Sequence, residues 1–188
     1  LSDPIILNAA TAMAPYSASL KSTVIDDDVS NGDTLTFEKT GGPAWLSVGA
    51  DGLLSGTPAI SDTGNNQFTV RVVDSQGEED SATLTIEVGA TRFAYDLNGT
   101  AAGSGAAAGG TWDGSAQWTS DPNGLGTAFA WVDGAIPVFA AGTDAAGDYT
   151  VTNSATRAIS GFTARSGRPL VTGGTLQTSV AQCPFDIA

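Results

Sequence analysis

Apolar and polar residues alternate with a period of two along several short segments in the first half of the chain. Residues 67–72 and 82–88 each place apolar side chains at every second position and polar ones between them. This alternation is typical of strands that bury one face. The turn-forming sequence DSQG at 74–77 separates the two segments, so the pattern predicts an antiparallel hairpin.

Further short segments with strand-like composition surround this hairpin. They lie at residues 5–7, 17–24, 34–38 and 53–56. No segment shows a competing helical period. Five to seven short strands joined by turns predict a β-sandwich, which we place at residues 1–90.

The second half has a different pattern of very short apolar runs separated by glycine or asparagine. The runs lie at 136–140, 149–151, 159–162, 170–171 and 176–180. Before them, residues 98–110 read NGTAAGSGAAAGG, and we interpret 91–110 as a Gly/Ala-rich linker or loop. The sequence thus predicts an all-β chain, with a sandwich followed at 111–188 by a Gly-rich β domain, either β-helix-like or a second sandwich.

Composition restricts the function classes. The net charge is −13, with thirteen acidic and three basic residues before residue 90, which argues against nucleic acid and anionic membranes as partners. The sequence contains no run of about 18 apolar residues, so it does not predict a membrane-spanning helix. The chain has no histidine and a single cysteine, Cys183, so an intramolecular disulfide and the usual zinc sites are excluded. The role of this thiol stays open.

The first half also resembles a known family. Tyr16 and Leu20 are followed by DDDVSNGDTLTF, PAWLS, DGLLSGTP and FTVRVVDSQG in that order. This order resembles the dystroglycan-type cadherin-like domains of bacterial surface proteins, which are immunoglobulin-like modules. The resemblance covers about residues 4–88. It implies a cell-surface adhesion or spacer module, in some members calcium-binding or carbohydrate-binding.

Acidic loops indicate where such a module would hold calcium. In an immunoglobulin-like sandwich, the loop at 26–33 and the turn at 74–80 would lie at the same end. The candidate metal ligands are Asp26, Asp28, Asp33, Asp74 and Asp80. Calcium requires six to eight oxygen ligands on flexible loops, which this end would offer. The alternative is a solvated acidic end that keeps the module soluble.

The second half resembles another family of surface proteins. TWDGSAQW, WVDGAIPVF, YTVT, ISGF and LVTGGTL occur in order over residues 111–178 and resemble the autotransporter-associated β-strand repeat. The resemblance implies stacked β-helix coils. About 70 residues provide only a few coils with open edges, so we expect a cap or pairing with another copy. The aromatic residues here are candidates for stacking on sugars or, alternatively, for the core: Trp112, Trp118 and Trp131.

Catalysis is the least favoured function class. Without histidine, the chain cannot form the usual Ser-His-Asp triad or a Cys-His pair. We therefore expect a non-catalytic extracellular protein of the cell surface, structural or adhesive, with copies of itself or neighbouring domains as partners. A carbohydrate-binding module is the alternative. The first residue is Leu1 and no signal-peptide pattern follows, which we interpret as a mature product or an excised fragment.

Overall fold

The computed structural model of the chain consists of β-strands in two compact units, Leu1–Gly89 and Ala90–Ala188. It describes residues 1–25 and 33–178 and the backbone of the strand Phe185–Ile187. Within these residues, no helix has the length and apolar character needed to cross a membrane.

The predicted hairpin organises the first unit. Outside residues 26–32, the strands of this unit are β1 (Ile5–Ile6), β2 (Ala10–Thr11), β3 (Tyr16–Ser19), β4 (Thr36–Gly41), β5 (Leu46–Val48), β6 (Leu53–Gly56), β7 (Gly64–Val73) and β8 (Glu79–Gly89). Strands β7 and β8 pair antiparallel over their whole length, from Gly64 opposite Val88 to Val73 opposite Glu79. Asp74 closes the turn because its amide donates to the Glu78 carbonyl at 3.0 Å.

Two sheets enclose the core of the first unit. One has the order β1-β8-β7-β4, with β2 also pairing to β8, and the other has the order β3-β6-β5. The alternating residues of β7 and β8 face this core, where Phe68, Val70, Leu84 and Ile86 are at most 1% exposed. Both sheets contribute to one cluster of buried side chains, so the predicted β-sandwich is confirmed.

The strand expected at 17–24 is shorter than the sequence pattern indicates. Strand β3 ends at Ser19, and residues Lys21–Thr23 form a 3-10 turn. Leu20 is fully buried, and its amide donates to the Gly52 carbonyl at 2.9 Å. The Thr23 hydroxyl then donates to the Leu20 carbonyl at 2.7 Å, which bends the chain away from the sheet.

Trp45 packs against the core of the sandwich. Its ring makes edge-to-face contacts with Tyr16 and Phe68, at centroid distances of 5.9 and 5.4 Å. Its indole N–H donates to Asn66 Oδ1 at 3.0 Å. The half-buried ring therefore has both an aromatic environment and a polar partner, as expected for a core tryptophan.

The second unit is built from parallel pairing of successive coils. Its described residues form ten strands: β9 (Arg92–Tyr95), β10 (Gly110–Trp112), β11 (Trp118–Thr119), β12 (Ile136–Phe139), β13 (Asp148–Asn153), β14 (Thr156–Ile159), β15 (Phe162–Ala164), β16 (Arg168–Thr172), β17 (Thr175–Thr178) and β18 (Phe185–Ile187). Three parallel ladders result: β9-β12-β15-β18, β10-β13-β16 and β14-β17. Among the described strands of these sheets, β11 alone pairs antiparallel, with β9. This pairing favours the β-helix-like arrangement over a second sandwich.

The segment interpreted as a linker or loop begins with a central strand of the second unit. Strand β9 lies between β11 and β12, and Tyr95 is fully buried. The small residues that suggest a linker belong to a long excursion between β9 and β10. Two of its glycines stand where a side chain would collide: a Cβ on Gly109 would lie 2.8 Å from the Thr150 carbonyl oxygen in β13, and one on Gly103 would overlap the Asp144 carboxylate.

Substitution of Trp45 tests its packing role. We expect Trp45→Ala to lower the free energy of unfolding by about 2–4 kcal/mol, because it removes a half-buried ring and its hydrogen bond to Asn66. Leu53→Ala is the control, since Leu53 is 52% exposed, and should change stability by no more than about 0.5 kcal/mol. Chemical denaturation measures both. Equal effects of the two substitutions would contradict the assignment of Trp45 to the core.

Candidate functional site

Three of the five predicted metal ligands lie among the described residues, at the acidic end of the first unit. Asp33 Oδ1 accepts hydrogen bonds from the Thr34 amide at 2.7 Å, from the Ser75 amide at 3.0 Å and from the Ser75 hydroxyl. Asp74 Oδ1 accepts from the amides of Gln76 and Glu78 at 2.9 and 2.8 Å. Asp33 and Asp74 therefore meet at one turn, as the loop positions predict.

Asp80 is the third of these candidates, and it forms an ion pair with the N-terminus instead of joining Asp33 and Asp74. Its Oδ2 lies 2.6 Å from the amino group of Leu1. Asp26 and Asp28 lie outside the described residues. Within the described part, no three Asp, Glu or Cys side chains are placed to hold one metal ion. The calcium site thus stays a prediction.

The hydrogen bonds to Asp33 favour its charged form. The Ser75 hydroxyl is the largest cause, and together with the amides of Ser75 and Thr34 it lowers the pKa of Asp33 below its ordinary value, while desolvation acts in the opposite direction. A lowered folded-state pKa stabilises the fold above the ordinary Asp pKa. That contribution is lost as the pH falls through the lowered value.

The three tryptophans of the second unit contact one another inside it. Trp112 and Trp118 are fully buried, and Trp131 is 9% exposed. Their ring centroids are 4.7–4.9 Å apart. A buried ring does not offer its face to a sugar from solvent, so the structure places these residues in the core, the alternative left open by the sequence. Tyr95 packs on Trp118 at 5.1 Å, and burial raises its pKa to about 12.

A groove of about 310 Å³ lies on the second unit, over the sheet that contains β9, β12 and β15. Its walls include two arginines, Arg92 and Arg165. Arg92 donates to Thr163 Oγ1 at 3.2 Å, and Arg165 donates to the Pro122 carbonyl. Both guanidinium groups have more donors than these contacts use. The groove can therefore accept an anionic group.

A second cluster surrounds the carboxylate of Asp96, directly after β9. Asp96 is 1% exposed. Its Oδ1 accepts from the Asn98 amide at 2.9 Å, but its Oδ2 has no hydrogen-bond partner among the described residues. Burial is the main cause that raises the pKa of Asp96, and the charge of Asp144 raises it further, against the Asn98 hydrogen bond.

Three loops meet around this carboxylate, and glycine is required where they approach each other. A Cβ on Gly124 would collide with the Gly103 carbonyl oxygen and lie 3.1 Å from Asp96 Oδ2. A Cβ on Gly103 would collide with the Asp144 carboxylate. We call Asp96, Gly103, Ser104, Gly124 and Asp144 the Asp96 site.

Sequence reasoning did not identify the Asp96 site, because Asp96 lies in the segment interpreted as a linker or loop. The available signal is the apolar run Phe93-Ala94-Tyr95, which ends in a lone aspartate before a Gly-rich loop. That pattern is compatible with a strand end that positions a carboxylate. Asp144 is fixed there by the amides of Ser104 and Gly105, at 3.0 and 2.9 Å, which no sequence pattern indicates.

Removal of the Ser75 hydroxyl tests the electrostatics of the acidic end. We expect Ser75→Ala to raise the pKa of Asp33 part of the way to its ordinary value, because the amide donors of Ser75 and Thr34 remain. Carboxyl NMR titration measures this pKa. The control is Ser47→Ala on β5, which should leave it unchanged. An unaltered Asp33 pKa in Ser75→Ala would show that the hydroxyl does not stabilise the charged form.

Comparisons with solved structures find similarity over part of the chain. The chain is similar to the endo-fucoidan hydrolase MfFcnA4 of glycoside hydrolase family 107, with 29% identity over 58% of this chain and a TM-score of 0.39. A singly substituted form of that enzyme has 33% identity over the same share and a TM-score of 0.42, and MfFcnA9 has 37% identity over 46% and 0.39.

This chain spans only 15–16% of the length of those enzymes. No curated protein matches it. Residues 1–89 match the family model He_PIG, described as Putative Ig domain. The first unit is therefore an Ig-like domain.

Proposed function

We propose that this chain is a non-catalytic extracellular protein of the cell surface, a structural or adhesive module that associates with copies of itself or with neighbouring domains. The Ig-like domain and the stacked coils are both architectures that present long surfaces without a deep catalytic cleft. The absence of histidine from the sequence agrees, because it excludes the usual triads.

The observation that carries this proposal is the one-sided pairing of β16 and β17. Within the described residues, β16 pairs only with β13, and β17 only with β14. Leu170, in the middle of β16, is 60% exposed. A strand edge that has no partner among the described residues and carries an exposed apolar residue is suited to pair with a further strand, of this chain or of another domain. Pro169 carries no N–H and limits the length of that edge.

Calcium at the acidic end of the first unit is part of the proposal. Asp33 and Asp74 converge on one turn, and Asp26 and Asp28 would be the additional carboxylates. Calcium bound there would reduce the motion of this end and stiffen a contact with a neighbour.

The assembly proposal is tested by light scattering over a concentration series, with calcium or with EDTA. We expect the mass of the particles to rise with concentration, and Leu170→Lys to abolish the rise because a charged edge opposes strand pairing. Leu125→Lys is the matched control, since Leu125 is also exposed, at 55%, but lies in a loop. A monomer at every concentration, or equal effects of both substitutions, would overturn the proposal.

Carbohydrate binding is the second candidate function, and the groove at Arg92 and Arg165 favours it. The chain has only seven basic residues, and two of them line this groove. Ser120 and Thr163 add hydroxyl groups beside them. An anionic saccharide with carboxylate or sulfate groups would pair with the guanidinium groups, while its hydroxyl groups would bind the polar lining.

Affinity gel electrophoresis tests this candidate, with uronate-containing or sulfated polysaccharides compared with neutral ones. We expect retardation by the anionic polymers alone, and its loss in the double variant Arg92→Gln/Arg165→Gln. Arg168→Gln is the control, because Arg168 is exposed and pairs with Asp148 outside the groove. Retardation by neutral polymers would exclude the groove as the saccharide site. Undiminished retardation of the double variant by anionic polymers would exclude it as well.

A further inference from the structure

The Asp96 site presents a physical problem that its protein neighbours do not solve. Asp96 Oδ2 is a buried carboxylate oxygen without a donor among the described residues. A buried charge is costly unless it is paired, and nearly all buried polar atoms have partners. The surroundings make the problem more severe, because the carboxylate of Asp144 adds negative charge nearby.

Two acceptor oxygen atoms lie close to each other at this place. The Gly103 carbonyl oxygen and Asp96 Oδ2 both flank the point where Gly124 would carry a side chain. Neither atom can donate a hydrogen bond to the other when Asp96 is charged. The Ser104 hydroxyl, next along the chain, is buried and also has no partner among the described residues. The site therefore gathers oxygen atoms, and none of the described donors around it bonds to Asp96 Oδ2.

The loops that carry these oxygen atoms hold one another in place. The Gly103 amide donates to the Asn123 carbonyl at 2.7 Å, and the Gly142 amide donates to the Pro122 carbonyl at 2.8 Å. Gly103, Gly124 and Gly142 have φ angles of 79°, 77° and 64°, which favour glycine. The oxygen positions are thus fixed by backbone geometry before any ligand binds.

We propose that the Asp96 site binds a hard divalent cation, with calcium the cation that fits best. Asp96 Oδ2 and the Gly103 carbonyl oxygen are the protein ligands, the Ser104 hydroxyl lies beside them, and Asp144 supplies the second negative charge. Calcium accepts carboxylate, carbonyl and water oxygens together and tolerates irregular geometry. Asp144 is exposed, so the site is open to solvent on that side and water can complete the coordination.

The small number of charged ligands predicts weak calcium binding. Sites of extracellular modules bind calcium with dissociation constants of about 10⁻⁴–10⁻³ M, and a site with two carboxylates belongs at that weak end. This site is separate from the acidic end of the first unit. The two can therefore be tested independently in the full chain.

The test is thermal unfolding of the full chain at constant ionic strength, in EDTA and in about 10 mM calcium. We expect calcium to raise the Tm of the unit that contains Asp96 by about 6–13 °C. Terbium provides a direct probe, because it occupies calcium sites and its emission is sensitised by nearby aromatic rings. Tyr95, which precedes Asp96 and packs on Trp118, would be the donor.

Asp96→Asn is the informative variant, since it removes the charge and retains the shape. Its amide nitrogen can donate to the Gly103 carbonyl, so we expect the unit that contains residue 96 to have a higher Tm than in wild type in EDTA and a Tm that calcium does not change. Asp148→Asn is the matched control, because Asp148 is 74% exposed and outside the site. It should respond to calcium as wild type does.

Three results would overturn the proposal. The first is an unchanged wild-type Tm in calcium together with absent terbium emission. The second is a full calcium response in Asp96→Asn. The third is a calcium response that is lost in Asp33→Asn but not in Asp96→Asn. The last result would place calcium at the acidic end of the first unit and leave that part of the proposed function intact. A wild-type Tm that rises on acidification but not with calcium would show a protonated Asp96 in place of a bound cation.

Discussion

The second unit depends on parallel backbone pairing between coils that are too small to bury their own apolar residues. Strand β12 shows this constraint directly, because all four of its residues from Ile136 to Phe139 are buried. Its backbone groups have partners only because β9 pairs on one side and β15 on the other. A strand buried on both faces needs such neighbours, since unpaired buried amides and carbonyls are costly. The chain therefore has to place its loops, glycines and aromatic residues so that these ladders can form.

The first unit satisfies the same requirement in another way. Its longest ladder joins β7 and β8, which are adjacent in sequence, and the turn at Asp74 fixes their register. One face of each strand is buried and the other is solvated, so alternation of residue types is visible in the sequence. For this reason the hairpin and the sandwich could be predicted from local patterns alone.

In the second unit, the sequence predicted less because the informative contacts join distant residues. Gly110 pairs with Val151, and Arg92 with Ile136, at separations that no local pattern reveals. The short apolar run at 159–162 was visible, but it spans the end of β14 and the start of β15, so one run corresponds to a corner between two strands. The glycines at 98–110 indicated a flexible segment, whereas Gly103 and Gly109 stand where a side chain would collide with distant residues. The Asp96 site depends on such approaches, and therefore could not be predicted, while the convergence of Asp33 and Asp74 could.

One carbonyl oxygen joins the two places on the second unit where ligands are proposed. The Pro122 carbonyl accepts a hydrogen bond from Arg165, which lines the groove, and another from the Gly142 amide, which belongs to the loops around Asp96. An anion that draws Arg165 away from this carbonyl would remove one of the restraints on those loops. By thermodynamic linkage, a cation that fixes the loops would change the affinity of the groove by the same factor. The concentrations of the anion and the cation would then regulate both sites as a coupled pair.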